Sequence, residues 1–131
     1  MQGPQGEQGE QGPEGPQGPQ GVDASLDITI VTVAGTTHTA DAANKAKVVE
    51  FTSAAAVAVT LPASMPVGHS VTWVQAGAGQ VTFAAGAGAT VRAPNGWLKT
   101  RAQWAVVTAY VRANNGGLTA AEWVLAGDLV P

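Results

Sequence analysis

The pattern of apolar and polar positions changes after residue 21. Up to that point glycine recurs at every third position, whereas the rest of the chain consists of short runs of Val, Thr and Ala separated by Gly, Pro and Asn. Such runs are typical of β-proteins, and no stretch of about 12 residues shows convincing helical periodicity. The sequence predicts a collagen-like rod at residues 1–21 and a β-rich head domain at residues 22–131.

The head domain contains eight segments with a strand pattern. They are Leu26–Val33, Lys47–Thr52, Ala55–Leu61, His69–Gln75, Gln80–Ala84, Thr90–Ala93, Gln103–Arg112 and Glu122–Ala126. Between them, 77–79 and 86–88 read as hairpin turns, and 94–96 as a tight turn that needs positive φ. We therefore predict an all-β domain, an antiparallel sandwich of jelly-roll-like type, in a trimer.

The longest of these segments, Gln103–Arg112, is apolar on one face and nearly apolar on the other. One face carries Ala105, Val107, Ala109 and Val111, and the other carries Trp104, Val106, Thr108 and Tyr110. A strand of this kind is buried on both sides. It is expected either at the centre of a sheet or at a subunit interface.

The tract that precedes the head domain has the period of a collagen triple helix. Its axial glycines are Gly3, Gly6, Gly9, Gly12, Gly15, Gly18 and Gly21. Three polyproline-II chains wind so closely that only glycine fits at their axis. The tract therefore predicts a parallel homotrimer, and a disordered Pro/Gly/Gln linker is the alternative.

The prolines of the tract indicate its origin. Pro4, Pro13, Pro16 and Pro19 all follow a glycine, and none stands before the next glycine, where animal collagens carry hydroxyproline. The rod gains nothing from hydroxylation, which favours a bacterial or viral source. Six triplets give a rod on the order of 55 to 60 Å, too short to align three chains unaided. We expect the head domain to clamp the chains and the rod to act as a spacer.

Composition excludes several classes of function. The net charge is −3 and the six basic residues are scattered, so a nucleic-acid interface is not expected. The chain has no cysteine, which excludes disulfides and thiolate metal sites. No apolar run reaches the roughly 18 residues of a membrane span, so membrane insertion is not expected. If Met1 is the natural start, the chain carries no secretion signal, which favours a virion protein released by host lysis over an exported protein.

No catalytic constellation is present, and we expect neither an enzyme nor a cofactor. Glu50 and Glu122 lack the spacing of a glycosidase pair, and no nucleophile elbow occurs. His38 and His69 could bind a metal ion or an anion on a threefold axis, but a lone histidine is more often hydrogen-bonded or at the surface. The expectation is that no metal is bound.

The four tryptophans are the candidates for ligand contact, because exposed aromatic rings stack on sugars or anchor partners. Trp73, Trp104 and Trp123 fall within predicted strands, so core packing is expected. Trp97 directly follows the turn at Asn95. Trp97 and Asn95 are therefore the candidate receptor or glycan contacts, with packing at the trimer seam as the alternative for Trp97.

Four motifs in order resemble the C-terminal domains of bacteriophage fibre and minor tail proteins. They are Val59–Pro62 (VTLP), Gly77–Phe83 (GAGQVTF), Lys99–Trp104 (KTRAQW) and Glu122–Leu129 (EWVLAGDL). In those proteins such motifs often follow Gly-X-Y repeats. The resemblance implies a trimeric, β-rich fibre head, and partners among other virion proteins of the tail or the capsid.

Three functions are consistent with these features. The first is a structural, non-enzymatic homotrimeric phage fibre that attaches to a host cell-surface receptor. The second is a trimerisation or capping module without a ligand. The third is a collagen-like bacterial surface or spore-coat protein.

Overall fold

The structure is a computed structural model that describes residues 28–131. The predicted rod, and the first residues of the strand predicted from Leu26, lie outside the described residues. Residues 28–131 form strands and two short 3₁₀ turns, 42–44 and 94–96, and no α-helix. The strands are β1 (Ile30–Val33), β2 (Thr37–Thr39), β3 (Val48–Phe51), β4 (Val57–Leu61), β5 (Ser70–Gln75), β6 (Val81–Ala85), β7 (Thr90–Arg92), β8 (Lys99–Thr100), β9 (Val106–Ala113), β10 (Glu122–Gly127) and β11 (Leu129–Val130). The prediction of an all-β domain is confirmed.

The strands form two sheets between which the chain winds. The six-stranded sheet has the order β1-β3-β5-β9-β10-β7, and the five-stranded sheet has the order β11-β8-β6-β4-β2. From β1 to β7 the chain crosses to the other sheet after every strand. Each time the chain returns to a sheet, the new strand runs in the same direction as the previous strand of that sheet. β1, β3 and β5 are therefore parallel, as are β2, β4 and β6.

The prediction of an antiparallel, jelly-roll-like sandwich is wrong, because both sheets are mixed. Antiparallel pairing is confined to the later strands, including β5 with β9 and β9 with β10. The glycine turns at 77–79 and 86–88 are not hairpins, since each carries the chain from one sheet to the other. Alternation identifies a strand and its two faces, and a glycine-rich turn permits either a hairpin or a crossing between sheets. Neither the alternation nor the turn specifies the partner strand.

The core lies between the sheets, where side chains of successive windings stack in register. In the six-stranded sheet Val31 pairs with Val49 and Val49 with Trp73. In the five-stranded sheet the corresponding column is His38, Val59 and Phe83. Burying a large apolar side chain contributes about 1.5–3 kcal/mol relative to leaving it exposed. These columns therefore hold the windings in register as well as the two sheets together.

A buried polar group also joins the two sheets. The Thr100 hydroxyl, on the five-stranded sheet, donates to Oε1 of Gln75 on the six-stranded sheet and accepts the Val81 N–H at 2.9 Å. The Gln80 amide donates to the Thr100 carbonyl at 2.9 Å. Burying such groups is costly unless they are paired, so the network specifies how one sheet is placed on the other.

The crossing from β5 to β6 lies against the crossing from β3 to β4. The Gly79 N–H donates to the carbonyl of Ser53 at 3.0 Å, and the next hydrogen bond runs from the Val57 N–H to the carbonyl of Gln80 at 2.9 Å. A Cβ atom on Gly79 would overlap the backbone carbonyl of Ala55. Only glycine allows the two crossings to approach this closely.

Gly79→Ala is expected to destabilise the domain by on the order of 3 kcal/mol, since the overlap is with backbone that cannot rotate away. The free energy of unfolding from urea titration measures this. Gly116→Ala is the matched control, because nothing lies within 4 Å of a Cβ at that position. Equal stabilities of the two variants would contradict the close approach of the crossings.

Candidate interaction surface

One face of the six-stranded sheet packs on the core. The opposite face is largely apolar and, among residues 28–131, is exposed or half-exposed except at Val74, which is 9% exposed. We call this opposite face the outer face. Its apolar members are Ile30, Val48, Val74, Val106, Tyr110 and Val124, with Thr32, Thr72 and Thr108 among them. On β9, inward residues are buried, whereas Val106 and Tyr110 are 47% and 46% exposed. An apolar surface of this kind is typical of a protein–protein contact.

The strand register makes the outer face continuous. Ile30 lies opposite Val48, Val48 opposite Thr72, and Thr72 opposite Thr108. Val74 lies opposite Val106 in the next row. Neighbouring strands are roughly 4.8 Å apart, so these side chains form adjoining rows from the β1 edge to β9.

Trp104 lies beside one end of the outer face and is the most exposed tryptophan. Its N–H donates to the Gln75 carbonyl at 2.6 Å, next to Val74. The side chain is 63% exposed and the backbone has φ 73°. Left-handed φ in a bulky residue costs on the order of 1–3 kcal/mol, and such strain is concentrated at functional sites.

The expectation that three tryptophans pack in the core is confirmed for two of them. Trp73 and Trp123 are buried, and the Trp123 indole donates to the Pro62 carbonyl at 3.0 Å. It is wrong for Trp104, because β9 begins at Val106 instead of Gln103. Alternation placed Trp104 on the same face as Val106 and Tyr110, but it could not show that this face is uncovered.

The candidate contacts Asn95 and Trp97 lie at the 3₁₀ turn. Asn95 is exposed with φ 58° and Gly96 has φ 73°, so the predicted positive-φ turn is confirmed. Trp97 is half-buried, packs against the core, and donates its N–H to the Pro94 carbonyl at 3.2 Å. Asn95 and part of the Trp97 side chain remain accessible to a ligand.

A charged cluster borders the outer face at the end away from Trp104. The Arg112 guanidinium donates to Oε1 of Glu122 at 2.8 Å, and Arg92 donates to Oε2 of the same carboxylate. The hydrogen bond from Arg92, with the charge of Arg112, lowers the pKa of Glu122. Glu122 is thereby held as a paired carboxylate.

A separate ion pair joins Arg101 to Asp128. The Arg101 guanidinium donates to both carboxylate oxygens of Asp128 and lowers the pKa of that carboxyl.

The two histidines pack against core aromatic rings. The His38 ring meets Phe51 and Trp73 edge-on, with centroids 5.5 and 5.6 Å away, and the His69 ring meets Trp123 at 5.7 Å. The Nε2 atoms of both histidines are buried without a hydrogen-bond partner among residues 28–131. Burial lowers the pKa of both side chains, so both are neutral at pH 7.

Within residues 28–131, no three His, Cys, Asp or Glu side chains are placed to hold a metal ion. The same part of the chain encloses no pocket. No helix in the described range has the length and hydropathy needed to cross a bilayer.

Comparison of the chain with protein-family models, curated proteins and solved structures found no match.

The buried histidines should make the domain less stable in mild acid. Their ordinary pKa is 6.5, and burial lowers it in the folded state. Below the ordinary value the unfolded chain therefore binds more protons, and the free energy of unfolding falls as the pH drops from about 7 to about 5. Urea titrations across this range measure the slope.

His69→Leu should flatten that slope while leaving His38 to titrate. Asp41, which raises the pKa of both histidines, and Lys45, which lowers that of His69, are unchanged in this variant. If the free energy of unfolding of His69→Leu depends on pH as steeply as that of the wild type, His69 does not contribute to the loss of stability in acid.

Proposed function

We propose that this chain is the subunit of a homotrimeric, non-enzymatic fibre of a bacteriophage particle. The fibre belongs to the tail or the capsid and projects its β domain toward the host surface. The observation that carries the proposal is the uninterrupted glycine period from Gly3 to Gly21. Its steric requirement at a shared axis selects three parallel chains.

The position of the head domain on the chain supports this proposal. The repeat leads through residues 22–27 into Ile28 and then into β1, an edge strand of the six-stranded sheet. Three chains that share one axis would therefore hold three copies of this edge strand within the length of residues 22–27 from the end of the rod. The motif resemblance to phage fibre heads agrees with a rod followed by a β domain.

Gly12→Ala tests the rod. A methyl group at the axis should disrupt the triple helix locally, so the positive circular-dichroism band of a collagen triple helix should be lost at a lower temperature than in the wild type. The transition of the β domain should be unchanged. Gln11→Ala is the matched control, because only the glycine of each Gly-X-Y triplet must fit at the axis of a collagen triple helix. The lack of a triple-helix band in the wild type would remove the basis of the proposal.

Host attachment is tested by glycan-array binding of the full chain. The partly exposed Trp97 beside Asn95 is the proposed contact, since aromatic rings stack on sugars. Trp97→Ala should abolish binding, and Trp104→Ala should retain it. Binding by neither the wild type nor the variants would favour the trimerisation module without a ligand. Loss of glycan binding in Trp104→Ala alone would indicate that the glycan site lies beside the outer face and not at Trp97.

A further inference from the structure

We infer that the outer face of the six-stranded sheet, with Trp104 at its end, is the surface through which the three β domains contact one another. This inference rests on the proposed homotrimer and specifies how its heads assemble. The occupant of the face is a second copy of this chain. It is supported by the length of the tether, by the difference between the two exposed sheet faces and by the place where the chain enters the described domain.

The first is the length of the tether. Residues 22–27 separate Gly21 from Ile28, and even fully extended they span at most about 25 Å. A domain of about 100 residues has a radius of gyration of about 13 Å. Three domains tied this closely to one rod are at an effective concentration in the millimolar range. Even a modest complementary surface would then hold them together.

The second is the difference between the two exposed sheet faces. The exposed face of the five-stranded sheet is built of small or polar side chains, such as Thr37, Ala58 and Thr82. The outer face of the six-stranded sheet instead carries Ile30, Val106 and Tyr110, all among the exposed large hydrophobic residues. Large apolar and aromatic residues are the anchors of protein interfaces.

The third is the position of the face relative to the first described residues. Ile28 and Ile30 are exposed where the chain enters β1, and the outer face continues from that strand through β3 and β5 to β9. The outer face therefore begins at the strand that follows the tether in the chain. β1 also ends the sheet, so it has an edge without a partner strand in the described part of the chain.

The outer face carries little charge. From β1 to β9 its outward charged residues are Arg112, which is paired with Glu122 at the border, and Glu50, which has no ion-pair partner in the described part of the chain. Burying an unpaired charge is costly, so Glu50 must keep access to water or gain a partner in the trimer. Trp104 adds an exposed ring on a strained backbone, which is consistent with a side chain retained for contact with a partner.

The experiment replaces exposed apolar residues by lysine in the full chain. Val106→Lys with Tyr110→Lys changes the outer face. Val67→Lys with Leu118→Lys is the matched control, because these residues are also exposed, at 58% and 40%, but lie in loops. Both pairs are made in the Gly12→Ala background, which weakens the rod. Sedimentation velocity is measured where the triple-helix band is lost and the β-domain spectrum is intact.

The parent and the loop variant should remain trimers under these conditions, and the outer-face variant should become a monomer with an unchanged β-domain spectrum. A trimeric outer-face variant would overturn the inference. So would a parent that becomes a monomer when the rod melts, although the rod-based homotrimer would then stand. A wild-type chain that is monomeric even with Gly12 present would instead contradict the proposed function.

Discussion

Both faces of the six-stranded sheet carry apolar side chains, and the residues that the structure describes cover only one of those faces. The winding between sheets buries Val49, Trp73 and Val107 on the inner face of the six-stranded sheet. It leaves Val106 and Tyr110, neighbours of Val107 and of Ala109 on the same strand, about half exposed. Packing of the inner face thus leaves an exposed apolar surface on the opposite face, of the kind that is typical of protein–protein contacts.

The longer strands could be predicted from the sequence, and the strand partners could not. Alternation in β4, β6 and β9 marks the buried residues, because side chains of a strand point to opposite faces in turn. In β5, by contrast, Trp73, Val74 and Gln75 are all buried. The crossings at 77–79 and 86–88 could not be predicted, because a glycine-rich turn is equally compatible with a hairpin and with a passage between sheets. β2, β8 and β11 are too short to carry a pattern of their own.

Only part of the candidate surface could be predicted from the sequence. The second apolar face of β9 could be read from its alternation, with burial at a subunit interface as one explanation. The sequence places Trp104 in a strand and so in the core. Its neighbours, Gln103 and Ala105, do not indicate the left-handed backbone at Trp104, after which the strand begins only at Val106. The turn at Asn95 was predictable, since asparagine followed by glycine tolerates positive φ. Exposure depends on what covers a face, which is a property of the whole fold.

The proposed fibre requires that three chains associate into one homotrimer. Native mass spectrometry of the unmodified full chain tests it most directly, because it counts the subunits in each species without reference to shape. The account predicts one dominant species of three times the 13.1 kDa chain mass. A dominant species of one or two chains, at concentrations where the β domain is folded, would contradict it.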